Sequence, residues 1–259
     1  STPLYSSAAS DVYKRQDEWI LARTGIKERR ILKDPTKGTS FMAIKAVEDL
    51  LKKRKINPTE IDAVIFATIT PDMNVAATAA YVASEIGATN AFGYDLQAAC
   101  SGFLYGMSNA SNMIASGRYQ KVLLIGADKM SSIVDYTDRT TCVIFGDGAG
   151  AVLFEASESG YGWEDEYLRS DGNGRMFLNI KAGGSMHPTS TDTLKKGMHN
   201  LYQDGKSVFK YAVSEMTKAA EEILQRNEMK SNSISYLVPH QANKRIIDAI
   251  AKRIGLPNE

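Results

Sequence analysis

Two short, uninterrupted apolar runs, DAVIFATIT at positions 62–70 and KVLLIG at positions 121–126, constrain the fold more than any other feature. Because consecutive apolar residues occupy both faces of a strand, each run predicts a strand that is covered on both sides. Helical spacing alternates with these runs, at residues 39–52, 77–86 and 101–116. Further strand signals occur at residues 91–96 and 151–155. Strands that alternate with helices predict an α/β fold with a mainly parallel sheet.

The rest of the chain follows a less regular pattern. Residues 157–205 are rich in Gly, Ser, Asp and Asn and carry no sustained period. They precede a long amphipathic helix predicted at 206–226, a strand at 235–238 and a helix at 243–254. The glycine-rich segment 146–150 lacks the spacing of a phosphate-binding loop, so we interpret it as a tight turn between strands.

These patterns divide the chain into three parts. Residues 1–16 show neither strand nor helix spacing and are predicted to be a non-native or disordered leader. Residues 17–156 are expected to form a first α/β half, and residues 157–259 an irregular insertion with an incomplete second half. The alternation stops after a helix, where a further strand is expected, so we interpret the sequence as a piece of a longer protein.

Charge and composition exclude several function classes. The 259 residues include 31 basic and 30 acidic residues, a net charge of +1, so no nucleic-acid or membrane-surface partner is expected. The sequence lacks a run of about 18 or more apolar residues, so no membrane-spanning helix is predicted. It has only two cysteines and no His and Cys cluster at ligand spacing. We therefore expect no disulfide framework, no metal site and a reducing, cytoplasmic location.

Cys100 is the first candidate for chemistry. It lies in the segment DLQAACSGF, between the strand predicted at 91–96 and the helix predicted at 101–116. A thiol at a helix N-terminus meets unpaired N–H groups and the positive end of the helix dipole, which favour a thiolate and supply oxyanion donors. A buried structural cysteine fits this position equally well. Cys142, next to a predicted strand, is assigned to the core.

His240 is the second candidate. It follows the strand predicted at 235–238, in the segment VPHQAN, at a sheet edge of the kind where open α/β folds bind ligands. An imidazole can donate or accept a hydrogen bond and can move a proton near neutral pH. For a single histidine, a hydrogen-bonded loop residue is the more common explanation.

Three further side chains have the chemistry of nucleotide binding. Tryptophan and arginine stack on bases, and arginine pairs with phosphate through two hydrogen bonds. Each of these residues alone is also typical of a surface ion pair or a packing contact. The candidates are Trp19, Arg23 and Arg139.

Together, these segments resemble the β-ketoacyl-acyl carrier protein synthase III family, which initiates bacterial fatty-acid synthesis on the thiolase fold. The matching motifs follow the family's order from Asp17 to Glu259: DEWI and RTGIKERR near the start, DLQAACSGF, FGDGAGA, DGK with VFK, and PHQAN. The resemblance implies a thiolase-like α/β fold, layered α/β/α/β/α, with two pseudo-repeated halves, here truncated.

The resemblance also implies a reaction. Cys100 would attack a short acyl-CoA and carry the acyl group as a thioester while CoA leaves. Malonyl-acyl carrier protein would then lose CO2, and its carbanion would attack the acyl-Cys100 to give a 3-oxoacyl-acyl carrier protein. His240 matches the family's histidine, which stabilises the enolate oxygen. The resemblance implies no tightly bound cofactor, because acetyl-CoA or another short acyl-CoA is a substrate. It also implies that the enzyme is a homodimer.

Binding residues are carried over position by position from the same resemblance. The CoA adenine would lie between Trp19 and Arg139, with Arg23 and Thr24 near the nucleotide. The pantetheine tunnel would be lined by Gly205, Phe209 and Asn243. A long thioester arm in such a tunnel would reach a thiol that is shielded from water.

The acidic carrier protein would dock on a basic surface. The helix predicted after His240 carries four basic residues, Lys244, Arg245, Lys252 and Arg253, against the single acid Asp248. The docking residues expected from the resemblance are Lys210, Arg245 and Lys252. A solvated helix face explains the same charges without a partner.

The sequence departs from the family at three places. The family's opening strand would precede Asp17 and its catalytic asparagine segment would follow Glu259, so the 259 residues by themselves are expected to be impaired in decarboxylation. Val75 stands where many relatives have Phe, which in some of them reaches across the dimer to shape the acyl pocket. Because valine is smaller, we expect an acyl pocket that accepts branched or longer primers.

Other functions stay open on the sequence alone. Hydroxymethylglutaryl-CoA synthases and long-chain head-to-head condensing enzymes share the Cys-His-Asn scheme. A catalytically silent acyl-binding fragment would share the fold. A carrier-protein acceptor distinguishes the synthase from enzymes that use only CoA thioesters, and acylation of Cys100 distinguishes an enzyme from a silent fragment.

Overall fold

The computed structural model describes residues 11–256, with side chains from residue 17 onward. Its helices are α1 (Asp11–Thr24), α2 (Thr39–Arg54), α3 (Thr78–Glu85), α4 (Gly102–Ala115), α5 (Thr191–Lys195), α6 (Gly205–Arg226) and α7 (Lys244–Arg253). Its strands are β1 (Ala63–Ala67), β2 (Phe92–Leu96), β3 (Lys121–Lys129), β4 (Asp147–Glu155), β5 (Leu178–Asn179) and β6 (Tyr202–Gln203). None of the helices in this part of the chain combines the length and apolarity that crossing a bilayer requires.

The described residues form two compact units. The first, called here the sheet unit, contains Ile31–Ser132 and Gly146–Glu164, and so holds β1 to β4 with α2, α3 and α4. The second, called here the helical unit, contains the described residues before Ile31, Ile133–Phe145 and the chain from Asp165, and so holds α1, α5, α6, α7 and the short pair of β5 and β6.

These units have other bounds than the two halves predicted at residues 17–156 and 157–259. The predicted halves rest on a repeat in the sequence, and they stay a prediction. The same applies to the leader predicted at 1–16. Helix α1 begins within that segment, at Asp11, and residues 1–10 lie outside the described residues.

The sheet unit contains the parallel sheet that the alternation of strands and helices predicts. Its strand order is β2-β1-β3-β4, in which β2, β1 and β3 are parallel and β4 runs antiparallel to β3. In β1, Ile65 pairs with Tyr94 of β2 and with Leu124 of β3. The two most apolar strands, β1 and β3, are therefore neighbours inside the sheet.

Strand β1 is covered on both faces, as its continuous apolar run predicts. Val64 and Phe66 belong to a core cluster with residues of α2 and α3. Ala63 and Ile65 belong to a second cluster, which contains residues of α4. All four side chains are 0% exposed. The helices therefore lie on both sides of the sheet, and the prediction of an α/β unit is confirmed.

The tight turn predicted in the glycine-rich segment is wrong. Strand β4 begins at Asp147 and continues through Gly148 and Gly150, which pair with residues of β3. The Asp147 carboxylate fixes the start of the strand, because it accepts hydrogen bonds from the amides of Leu32 (2.8 Å) and Ser131 (2.7 Å). The local preference of glycine for turns is outweighed by pairing with the nine-residue strand β3, which sequence spacing does not reveal.

The helical unit has its own core, between α6 and α7. Val213 of α6 packs there with Ile246 and Ile250 of α7. The strand predicted at 235–238 is wrong: that segment is irregular, and Tyr236 and Val238 are 88% and 87% exposed. A strand needs a hydrogen-bonded neighbour, and none of the described segments pairs with this one.

Candidate functional site

Cys100 lies in the turn that joins β2 to α4, as the sequence predicts. The strand ends at Leu96, a short 3-10 turn spans Ala99–Ser101, and α4 begins at Gly102. A Cβ atom on Gly102 would lie 3.3 Å from the Cβ of Ala67, at the end of β1. Glycine therefore lets the first turn of α4 approach the sheet closely, directly after the cysteine.

The residue before the cysteine has an unusual backbone. Ala99 has a φ of +46°, in the left-handed region. For a residue with a Cβ atom this conformation costs about 1–2 kcal/mol. The turn that presents the thiol is therefore held by its surroundings against a local preference, which is common at functional sites.

Replacing Ala99 with glycine is expected to stabilise the protein by up to about 1 kcal/mol, because glycine adopts a positive φ without strain and this gain exceeds its extra entropy in the unfolded chain. Urea denaturation followed by circular dichroism measures the change. Ala98→Gly is the matched control: Ala98 has a φ of −144°, so glycine there relieves no strain and is expected to destabilise. A loss of stability in both variants would contradict the assignment of strain to Ala99.

Two features of the surroundings of Cys100 act against ionisation of its thiol. The residue has surface open to solvent, yet the protein atoms around it remove water from the thiol, and this desolvation raises the pKa of Cys100. The hydrogen bond from its own backbone amide lowers that pKa, and the negative charge of Asp128 raises it. Desolvation and the charge of Asp128 therefore oppose the thiolate that the helix N-terminus favours, and the ionised state expected from the sequence stays a prediction.

His240 lies in the irregular segment before α7, in the helical unit. Its backbone carbonyl accepts a hydrogen bond from the amide of Ala242 (2.9 Å), which fixes the local turn. Desolvation lowers the pKa of His240, so the imidazole is neutral at neutral pH. A neutral imidazole carries one N–H donor and one nitrogen acceptor.

Asn243, three residues further on, is the N-cap of α7. Its side-chain oxygen accepts a hydrogen bond from the amide of Ile246 (3.1 Å). That oxygen therefore already has a structural partner. Its expected position in the pantetheine tunnel stays a prediction.

The predicted nucleotide-binding residues fall in two segments of the helical unit. On α1, the guanidinium carbon of Arg23 lies 4.8 Å from the ring centroid of Trp19, and both side chains are exposed. The Thr24 hydroxyl donates to a backbone carbonyl of α1 (2.7 Å) and accepts from an amide just beyond the helix (3.1 Å). Arg139 is exposed in the segment Ile133–Phe145. The adenine sandwich between Trp19 and Arg139 stays a prediction.

Helices α6 and α7 bring together two of the residues predicted for substrate contact. The guanidinium carbon of Arg245 lies 5.5 Å from the ring centroid of Phe209. Gly205 is exposed at the start of α6, and no atom lies within 4 Å of the position that a Cβ would take there. Lys210 and Lys252 are also exposed. These placements leave the side chains accessible, and their binding roles stay predictions.

Val75, predicted for the acyl pocket, lies in the loop between β1 and α3. It is fully exposed and has a φ of +76°, a rare conformation for a β-branched residue. The loop is attached to α2 by Asp72, which accepts hydrogen bonds from the amide (3.0 Å) and the hydroxyl (2.5 Å) of Ser40. The role of Val75 in an acyl pocket stays a prediction.

A groove of about 630 Å³ lies elsewhere, between α2 and β4, and none of the predicted site residues lines it. Its walls include Phe41, Leu50 and Gly150. Among side chains of residues 17–256, no three His, Cys, Asp or Glu groups converge as metal ligands. The roles of Cys100 and His240 in the chemistry stay predictions.

Sequence reasoning missed Asp128 on β3, whose charge raises the pKa of the Cys100 thiol. Its carboxylate binds the loop after β1, and its charge acts on the thiol. The signal was available, since Asp128 ends the apolar strand run KVLLIGAD. A carboxylate directly after a buried strand, at the sheet end where ligands bind, is itself a reason to examine it.

Comparisons with known proteins identify the family of the chain. A family model described as 3-oxoacyl-[acyl-carrier-protein (ACP)] synthase III matches residues 94–172, and the model of its C-terminal part matches residues 224–259. The synthase III of Chlorobium chlorochromatii is 56% identical over 242 residues, which are 93% of this chain and 74% of that protein. The synthase III of Phocaeicola vulgatus is 51% identical over 256 residues, 99% of this chain and 77% of that protein.

Structural similarity supports the same family. The crystal structure of the synthase III of Thermus thermophilus has a TM-score of 0.84 and 39% sequence identity, over 99% of this chain and 79% of that one. The thiolase-like α/β fold implied by the motifs is therefore confirmed. The chain belongs to the β-ketoacyl-[acyl carrier protein] synthase III family.

Proposed function

We propose that this protein catalyses the initiating condensation of fatty-acid synthesis, in which a short acyl-CoA and malonyl-acyl carrier protein give a 3-oxoacyl-acyl carrier protein, CoA and CO2. One observation carries the proposal: Cys100 lies at the start of α4, in a chain that is 56% identical over 93% of its length to a synthase III. The protein is accordingly an acyltransferase. The same identity favours this function over the hydroxymethylglutaryl-CoA synthase-like and long-chain alternatives.

In the first half of the reaction, the sulfur of Cys100 attacks the thioester carbonyl of acyl-CoA. The backbone amides at the start of α4 are the donors for the oxyanion that forms. The CoA sulfur leaves as the acyl-cysteine bond forms, and the proton of the resting Cys100 thiol ends on CoA. One thioester is exchanged for another, so this step needs no oxidant, metal or tightly bound cofactor.

In the second half, His240 donates its N–H to the enolate oxygen that develops as the malonyl group loses CO2. The neutral state of this imidazole suits the role, because the ring carries both a donor and an acceptor at neutral pH. The carbanion attacks the carbonyl of acyl-Cys100, and the Cys100 sulfur leaves and regains a proton.

Substrate binding follows the same proposal. Acetyl-CoA or another short acyl-CoA would be bound through Trp19, Arg23, Thr24 and Arg139 at the nucleotide and through Gly205, Phe209 and Asn243 along pantetheine. The exposed pair of Trp19 and Arg23 supports the first contact. We place the enzyme in the cytoplasm as a homodimer, and the two free cysteines suit a reducing compartment.

Intact mass measurement after incubation with acetyl-CoA tests the proposal. The expected result is the addition of one acetyl group, which peptide mapping locates on Cys100 and not on Cys142, the second free cysteine. A folded protein that gains no acetyl group would favour the silent acyl-binding alternative. Offering malonyl-CoA and malonyl-acyl carrier protein to the acylated protein then identifies the acceptor, and a preference for malonyl-CoA would contradict the carrier-protein function.

The basic residues of α7 provide a separate prediction about the carrier protein. Lys244 is paired with Asp248 (2.8 Å), whereas Arg245 and Lys252 are exposed cations, as is Lys210 on α6. Arg245→Glu or Lys252→Glu is expected to weaken binding of malonyl-acyl carrier protein by about 3- to 10-fold, and most at low salt, because a docking charge is reversed. Fluorescence anisotropy with labelled carrier protein measures the dissociation constant independently of turnover.

The matched control is Lys195→Glu, which reverses an exposed charge on α5 of the same unit. It is expected to leave the affinity unchanged. Equal weakening in all three variants would indicate a general effect of net charge and would reject α7 as the docking surface.

A further inference from the structure

Asp128 lies on the face of the sheet that α4 covers. Val122 and Leu124 of β3 belong to the core cluster under α4. Because side chains alternate along a strand, Gly126 and Asp128 lie on the same face as these two residues. A Cβ atom on Gly126 would lie 3.0 Å from the ring of Phe103, on the first turn of α4.

Asp128 and Cys100 lie at the same level along the direction of the strands. Ala67 of β1 pairs with Gly126, and the first residue of α4, Gly102, lies against Ala67. Cys100 precedes Gly102 by two residues, and Asp128 follows Gly126 by two residues, about 6–7 Å further along β3. Both therefore lie at the same end of the sheet, on the same face.

The Asp128 carboxylate joins two segments at this end of the sheet. Its Oδ1 atom accepts hydrogen bonds from the Thr68 hydroxyl (2.9 Å), the Ile69 amide (2.8 Å), the Thr70 amide (3.2 Å) and the Thr70 hydroxyl (3.0 Å). The Thr70 hydroxyl also accepts from the amide of Lys129 (2.8 Å). The loop after β1 is therefore tied to the end of β3.

The other charged groups near this end of the sheet have partners elsewhere. Asp95 accepts from two amides at the start of α3, both at 2.8 Å. The Lys129 ammonium donates to backbone carbonyls of the segment before α2, at 3.2 and 2.6 Å. Helix α4 has no charged residue, and desolvation raises the pKa of Tyr94 on β2, which keeps that phenol neutral at neutral pH.

We propose that Asp128 is a positioning residue for Cys100: it fixes the loop after β1 and sets a negative charge that opposes ionisation of the thiol before acyl-CoA binds. This inference deepens the proposed function and rests on it. The charge of Asp128 raises the pKa of Cys100, in agreement with the geometry. A protonated thiol is a poor nucleophile toward oxidants and stray electrophiles, so the site would stay intact until substrate arrives.

The pH dependence of Cys100 alkylation by iodoacetamide tests this role without any turnover. Both the reference protein and the variants carry Cys142→Ser, so that mass spectrometry follows Cys100 alone. Asp128→Asn keeps the Oδ1 acceptor for the loop and removes the charge. The expected result is a shift of the alkylation midpoint to lower pH by about 0.5–1 unit, which raises the rate below the midpoint by about 3- to 10-fold.

Asp62→Asn is the matched control. Asp62 also accepts from two backbone amides, of Gln120 (2.6 Å) and Lys121 (2.9 Å), but at the opposite end of the sheet. It is expected to leave the midpoint unchanged. An unchanged midpoint in folded Asp128→Asn, or an equal shift in the control, would overturn the proposal.

A second pair of variants keeps the test decisive if Asp128→Asn does not fold. Asp128→Ser is neutral and can still accept a hydrogen bond, and it is expected to shift the midpoint in the same direction. Asp128→Glu keeps the charge and is expected to restore the original midpoint. If only the charged variant folds, the carboxylate serves the fold alone and the proposal is wrong. Loss of acetylation with a shifted alkylation profile would instead count against the proposed function.

Discussion

The Cys100→Ala variant is expected to lose acyl loading completely and to lose at least about 1,000-fold in condensation rate, because no covalent intermediate forms without the nucleophile. The other cysteine is a poor substitute. Cys142 lies in the helical unit, half-buried, and desolvation raises its pKa as well. Intact mass after incubation with acetyl-CoA measures the loss of acyl loading, and formation of 3-oxoacyl-acyl carrier protein measures the loss of condensation.

Cys142→Ala is the matched control and is expected to accept one acetyl group like the unchanged protein. Circular dichroism of both variants verifies that the fold is intact. An acetyl adduct that persists on Cys100→Ala would show that another residue carries the acyl group and would reject the assignment of the nucleophile.

Replacing Phe66 with alanine is expected to destabilise the protein by about 3–5 kcal/mol, a large part of the about 5–15 kcal/mol that holds a typical domain folded. Phe66 is 0% exposed in the centre of β1 and packs between the sheet and helices α2 and α3. Truncation removes buried apolar surface and leaves a cavity in a tightly packed layer. Urea denaturation followed by circular dichroism measures the loss.

Phe92→Ala provides the comparison for this variant. Phe92 lies on the edge strand β2, is 45% exposed and contacts the ring of Tyr119 at 5.6 Å between centroids. Its truncation is expected to cost about 1 kcal/mol, because the site is already open to water and can relax. Equal losses for both variants would contradict the placement of the core between the sheet and α2.

The sequence predicted the parts of the fold that depend on local pattern. The runs at 62–70 and 121–126 gave β1 and β3, since a strand covered on both faces must be apolar at every position. Helices α2, α4, α6 and α7 lie within a few residues of their predicted bounds, because their apolar spacing persists over three or more turns. The resemblance of the motifs around Cys100 and His240 to those of the family predicted the reaction.

The predictions that failed depended on partners distant in the chain. Residues 147–150 belong to β4 because β3 lies beside them. Residues 235–238 are irregular because no described strand pairs with them. Nothing in either segment encodes its neighbour. Glycine content and β propensity describe what a segment tolerates, while hydrogen-bonded pairing decides what it forms.

The sequence by itself determined the α/β unit, the position of Cys100 between a strand and a helix, and the family to which these motifs point. Only the tertiary structure supplied the features that act against ionisation of that cysteine. The left-handed backbone of Ala99, the desolvation of the thiol and the charge of Asp128 all arise where β1, β2, β3 and α4 meet. The helix N-terminus can be inferred from neighbouring residues, whereas water exclusion and a carboxylate 28 positions away exist only once the sheet has formed.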